Sequence, residues 1–299
     1  MTSTATTHRY RGFSILLMGG LFYSLYGVFS RIIGDSLPQF FQIWTRAAII
    51  IGLLLVSMWL TKKQLVRVRK GDLKWFLIAA ASGGLLNPPF YIAINHLALG
   101  TTLFAFYATG TMVSYVLGKV LFGEKLSQAK IISLVIAMIG LLLLYIDTLQ
   151  LGNLYYLSMA GFAGALFGVN INAIKKINTA YPSLQVNLFN WSGALLISLA
   201  VSIVIAEPWS VPIATLPWLA NVGLAVCSLA ASLSVIFGFK YIEMQKGSLI
   251  LLSELVFGVL LGVVLYQEVP TITAAVGSLL VFIALIVPSI NLNQNKNCS

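Results

Sequence analysis

The chain has 299 residues, of which 59% are apolar and only 9% charged, with a formal net charge of +10 and a mean hydropathy of +0.94. A water-soluble domain carries about 25% charged residues, so an aqueous globular fold is excluded. The apolar residues come in runs long enough to cross a hydrocarbon core of about 30 Å.

In chain order, a short polar tail from Met1 to Arg11 leads into apolar segments near 12–33, 37–60, 73–96, 99–122, 128–147, 154–176, 182–206, 217–240, 246–266 and 271–290. Each is long enough to span as a helix at 1.5 Å rise per residue. Helices satisfy their own backbone hydrogen bonds, which hydrocarbon requires. The shorter alternating segments of a β-barrel are absent. The first run has no small-residue cleavage site behind it and reads as a span, not a removed signal.

Lys and Arg set the orientation. With both termini cytoplasmic, Arg9, Arg11, Lys62, Lys63, Arg67, Arg69, Lys70 and Lys74 lie inside. So do Lys125, Lys130, Lys175, Lys176, Lys240, Lys246 and Lys296, with Lys119 able to snorkel there. The outer loops carry Asp35, Asp147, Glu207 and Glu268, with Arg31 as their one cation. The basic charge is therefore a topology signal, and no nucleic-acid partner is expected. A multi-pass protein of the cytoplasmic (inner) membrane is.

The two halves align at a constant offset of 144 residues. Gly20 falls on Gly164, Arg31 on Lys175, Pro38 on Pro182, Gly118 on Gly262 and Glu124 on Glu268. Five spans per half is an odd number, so the second half is inserted upside down. The expected fold is an all-α integral membrane protein with ten transmembrane helices in two inverted five-helix repeats, 1–150 and 151–299, around a central cavity. Inverted repeats are a recurring basis of alternating access, with the substrate near the midplane.

The stretch Val116-Leu117-Gly118-Lys119-Val120-Leu121-Phe122-Gly123-Glu124-Lys125-Leu126-Ser127 resembles the signature that ends the fourth helix of EamA-like members of the drug/metabolite transporter superfamily. Its partner is Ser253-Glu254-Leu255-Val256-Phe257, continuing to Leu265-Tyr266-Gln267-Glu268. Arg46-Ala47-Ala48, after Phe40-Phe41-Gln42-Ile43-Trp44, is similar to the arginine that family often has in its second helix, and Gly140 to the glycine of its fifth. Leu255 stands where the family commonly has proline. The resemblance implies ten helices in two inverted repeats, peripheral helices five and ten, and transport of small metabolites.

Arg46 lies about nine residues into span two, where a charge is costly and faces a cavity or a partner. It could anchor a substrate carboxylate or phosphate with its planar fork, or bond helix carbonyls as scaffold. Glu254 is the one carboxylate deep in a span and could bind a substrate amine, take up a coupling proton, or pair with Arg46. Asn87-Pro88-Pro89 removes two backbone donors from span three and frees carbonyls for a ligand or for a bend. Tyr91 lies one turn on and can share the face of Asn87.

Asn170 in span six and Asn187, Asn190 and Trp191 in span seven form a second polar set, as ligand groups or as helix-joining hydrogen bonds. Trp44 and Trp191 could wall a ligand with aromatic faces. Tyr23 and Tyr26 in span one and Tyr107 and Tyr115 in span four could line the cavity or pack, while Ser228, Ser232 and Ser234 in span eight read as small residues that allow close helix contact. Together these groups suit a zwitterion such as an amino acid.

Other function classes fare worse. His8 in the tail and His96 at a span end are the two histidines, and one deep carboxylate makes no catalytic dyad. Cys227 and Cys298 define neither a disulfide framework nor zinc spacing, and no cofactor or metal is expected. A secondary transporter driven by protons or by exchange is the leading expectation. The alternatives are a passive channel and, more remotely, a membrane-embedded enzyme.

Overall fold

The computed structural model describes residues 2–149, 153–210 and 215–290, with side chains described over 10–287 of these. Lys296 and Cys298 lie outside the described residues, as do the side chains of His8 and Arg9. Twelve α-helices are present among the described residues. They are α1 (Thr2–Ile33), α2 (Gln39–Leu60), α3 (Lys70–Leu85), α4 (Asn87–His96), α5 (Leu99–Phe122), α6 (Gln128–Tyr145), α7 (Leu154–Ile177), α8 (Ser183–Val204), α9 (Leu216–Gly238), α10 (Met244–Leu251), α11 (Ser253–Tyr266) and α12 (Ile272–Ile290).

Nine segments among the described residues are long and apolar enough to cross a membrane, and α12 supplies a shorter tenth. Helix α1 starts well before residue 12, running through the polar tail as one helix. Spans three and nine are each built from two helices in series, α3–α4 and α10–α11. The first break is the one the prolines predict. The second, at Leu252, has no proline. The chain tightens there into short-range bonds, Leu252 N–H to the Leu249 carbonyl and Leu255 N–H to the Leu252 carbonyl.

The helices pack mainly between halves. Helix α1 lies on α9 as α7 lies on α3, and α5 lies on α7 as α1 lies on α10 and α11. Helix α3 meets α8 as α9 meets α2, while α6 pairs with α12 and α2 with α8. Each contact returns its own counterpart when the halves are exchanged, so the packing is pseudo-twofold. Lipid gives helices no hydrophobic reason to associate, so close approach must come from small residues. A Cβ on Gly140 would sit 2.9 Å from the Gly277 carbonyl oxygen, and one on Gly277 2.7 Å from that of Gly140. Several buried hydroxyls bond within their own helix: Thr45, Ser82, Ser114 and Ser133 donate to carbonyls four residues back.

The α5–α7 crossing gives the first test. A Cβ on Gly164 would fall 2.7 Å from Thr109 Oγ1 and closer still to the Phe106 carbonyl, whereas Gly27 has open space around it. Gly164→Ala should destabilise the protein by about 1–3 kcal/mol through overpacking, and Gly27→Ala should leave it unchanged or raise it by up to about 1 kcal/mol. Thermal unfolding of both variants in detergent reads the difference, and equal transitions would remove the backbone contact as a determinant.

Candidate functional site

Arg46 sits about 10 Å from the start of α2 at helical rise and is 8% exposed. Its guanidinium lies 5.3 Å from the Tyr26 ring centroid and 5.9 Å from that of Trp191. Nε is buried with no hydrogen-bond partner, and no ion pair among the described residues includes Arg46. Cation–π contacts contribute roughly 0.5–2 kcal/mol each, while taking an ion out of water costs several. The rings alone do not balance the charge, and the site suits an anion.

Glu254 stands in the first turn of α11, directly after the break at Leu252. Tyr107 of α5 donates its hydroxyl to Glu254 Oε1. Glu254 therefore engages a neutral donor rather than Arg46. Tyr23 of α1 lies within electrostatic reach of both Glu254 and Arg46, so the three helices α1, α2 and α11 bring a cation, a hydroxyl and a carboxylate to one region. Gly20 makes that approach possible, since a Cβ there would fall 3.1 Å from the Glu254 backbone nitrogen.

The remaining groups divide. Trp191 Nε1 and Asn187 Nδ2 both donate to Ser232 Oγ of α9, at 3.4 and 3.0 Å, so Trp191 is held where it faces Arg46. Asn187 Oδ1 is buried without a partner. Asn170 Nδ2 donates to Asn190 Oδ1 at 2.8 Å and to the Ala79 carbonyl at 2.7 Å. That pair ties α7 and α8 to α3. Gly83 leaves it room, since a Cβ there would lie 2.8 Å from Asn190 Oδ1.

Asn87 Nδ2 donates to the Gly83 and Gly84 carbonyls at 3.3 and 3.0 Å. The Gly84 carbonyl is one that Pro88 leaves without its helical N–H, so the asparagine amide fills the proline gap. Tyr91 packs edge-on against Phe40 with ring centroids 4.9 Å apart. Trp44 packs against Phe41 and Trp209 at 5.2 and 5.3 Å. It belongs to an aromatic cluster with Trp218.

Two residues outside the leading candidates touch this region: Tyr26, which the sequence offers as a cavity-lining or packing tyrosine of α1, and Ser232, which it offers as a small residue at a helix contact. No spacing rule marks either one, because their partners come from α2 and α8.

Two further charge clusters lie at the ends of the bundle. At the basic end, Lys175 Nζ is 2.9 Å from Glu124 Oε1, with side chains 13% and 6% exposed. Glu243 lies between Lys130 and Lys246, at 3.1 and 3.2 Å. Burial alone would raise its carboxyl, but the Lys246 and Lys130 ammoniums outweigh burial and hold it below the usual value. At the opposite end Arg31 Nη1 lies 2.5 Å from Glu268 Oε1. Among the described residues no group of three or more His, Cys, Asp or Glu could hold a metal ion.

With this geometry in place, comparison with known proteins is informative. A sequence profile described as "EamA-like transporter family" matches twice, over residues 10–146 and 154–290. A solved structure described as "Crystal structure of protein" superposes with a TM-score of 0.81 at 19% identity, over 97% of this chain and 100% of that one. That likeness shows the fold. No curated protein sequence matches.

Proposed function

Because the chain belongs to the EamA-like transporter family, we propose that it is a secondary transporter that carries a small zwitterionic or anionic metabolite, such as an amino acid, by alternating access. The family consists of transporters and not enzymes, and the chain is a multi-pass helical membrane protein. The observation that carries the substrate reading is Arg46, a nearly buried guanidinium with no carboxylate partner. Its planar fork suits a carboxylate or phosphate. Glu254 offers an acceptor for an amine and a group able to carry a coupling proton. Halves 1–150 and 151–299 are the two repeats that rock against each other, with the basic end in the cytoplasm of a cell-membrane protein.

Purified protein in liposomes tests this. We expect saturable, substrate-specific flux, accelerated by substrate on the far side where exchange drives it. Flux rising without saturation would instead indicate a channel. A lack of flux across a broad panel of amino acids and organic acids would overturn the reading.

A further inference from the structure

Glu124 and Glu268 are repeat mates, as are Lys175 and Arg31. Each carboxylate pairs with the cation of the other half, Glu124 with Lys175 and Glu268 with Arg31. The local geometry that delivers them is the same. Both helices end in a left-handed residue, Gly123 at φ 65° and Gln267 at φ 55°. Glu124 N–H then donates to the Gly118 carbonyl and Glu268 N–H to that of Gly262, each at 3.2 Å. Gln267 adopts this conformation without the freedom of glycine, so the turn is imposed at that position.

The surroundings differ completely. Glu124 is seated on the start of α10, accepting the N–H of Met244 at 2.5 Å and of Gln245 at 3.0 Å. Lys175 Nζ donates in addition to the Ile242 carbonyl at 2.9 Å. Lys130, 5% exposed, donates to Gln245 Oε1 at 2.8 Å and reinforces the joint. Carboxylates at a helix start engage unsatisfied N–H groups and the positive end of the dipole.

Among the described residues the side chain of Glu268 is bonded to Arg31 alone, and both side chains are about half exposed, at 49% and 52%. The repeat mates of Met244 and Gln245 are Gly100 and Thr101, at the start of α5. No bond from Glu268 to either is present among the described residues. Thr101 Oγ1 instead donates to the Thr148 carbonyl at 2.9 Å, which ties the start of α5 to the turn after α6. A Cβ on Gly118 would meet Glu124, Gln245 and Met244, whereas one on Gly262 would meet Glu268 alone. Glu124 is seated on a helix start at the basic end, whereas Glu268 is not at the opposite end, where Glu207 instead accepts the N–H groups of Phe40 and Phe41 at the start of α2 at 3.0 and 2.7 Å.

We propose that the seating of Glu124 on the start of α10 and of Glu268 on the start of α5 are the two latches of the transport cycle, made alternately, with the ion pairs to Lys175 and Arg31 travelling with them. When Glu124 leaves the start of α10, Glu268 moves from solvent onto the start of α5 around Gly100, and Arg31 follows it. The protein described here is the state with the basic-end latch seated. This rests on the alternating-access reading, and it adds which groups hold each state. Lys130 has Ala274 as its mate, so the basic-end latch carries a reinforcement its counterpart lacks and the cycle rests in the observed state.

Reporter cysteines test the proposal without any substrate. Tyr26→Cys is placed in a Cys227→Ser/Cys298→Ser background, since Tyr26 flanks Arg46 and is 39% exposed. A membrane-impermeant maleimide is applied to sealed vesicles of either orientation. Glu124→Gln should raise labelling from the basic end by about tenfold, and Glu268→Gln should lower it while labelling from the opposite end is kept or raised. Glu124→Gln/Lys175→Met leaves no unpaired buried charge and should behave as Glu124→Gln does, which covers a misfolded single variant. Equal shifts in the same direction for both glutamates, or unchanged labelling in all variants, would overturn the latches. Opposite shifts in a protein that carries no solute would sustain the latches and remove the transport reading instead.

Discussion

Replacing Arg46 with alanine is expected to cut uptake of an anionic or zwitterionic substrate by about 100-fold or more, since truncating one partner of a buried charge pair costs about 2–5 kcal/mol. The folded protein should survive. Arg46 has no carboxylate partner among the described residues, so the substitution orphans no buried acid there, and what it removes from the fold is ring contact with Tyr26 and Trp191. Arg46→Lys keeps the charge but loses the two-pronged geometry, and a loss of about tenfold is expected. Uptake and thermal unfolding measured on the same preparations decide the matter. Wild-type affinity in Arg46→Ala would exclude Arg46 from the substrate site. A large fall in stability without a specific transport defect would make it scaffold.

Glu254→Gln should produce the second large effect, on driving force more than on recognition. Glutamine can still accept the hydroxyl of Tyr107, but it cannot take up or release a proton. Concentrative uptake driven by a proton gradient should fall by about tenfold or more, and the rate should lose its dependence on pH between about 5 and 8. Exchange of internal for external substrate should persist, because it needs no proton. Tyr107→Phe separates positioning from titration. It removes the donor that holds Glu254 while leaving the carboxyl able to ionise, so the pH profile should shift without vanishing. An unchanged profile and undiminished accumulation in Glu254→Gln would assign coupling elsewhere.

The apolar segments were legible because hydropathy reports them directly, and the Asn87-Pro88-Pro89 break because proline lacks an N–H, but the start of α1 at Thr2 was not, since its first turns are polar. The break at Leu252 was not legible. It arises where α10 and α11 meet α1 and α5, and the sequence there, Leu251-Leu252-Ser253-Glu254, carries no breaking residue. Among the site candidates, Arg46 and Glu254 were found by their rarity at membrane depth. Whether they met each other was a matter of helix rotation, which periodicity along one helix does not report.

The asparagines illustrate the same limit. Asn170 and Asn190 are paired across α7 and α8, while Asn187 joins Trp191 on Ser232. Four positions apart on α8, Asn187 and Trp191 share a face. Their common partner on α9 could not be read from α8.

By itself the sequence determined the apolar segments, the end of the bundle that gathers the basic residues, and the repeat offset. Those follow from local rules: hydrocarbon demands internally bonded helices, and a duplication preserves spacing. The tertiary structure decided which polar groups meet. It gave Glu254 to Tyr107, left Arg46 between two rings, and set two equivalent glutamates in unlike surroundings, one seated on a helix start and one at the surface. The physical reason is that a membrane interior charges heavily for an unpaired polar group, yet which partner relieves that cost depends on helix rotation and approach. Those are fixed only when small residues such as Gly20, Gly164 and Gly277 let distant segments touch.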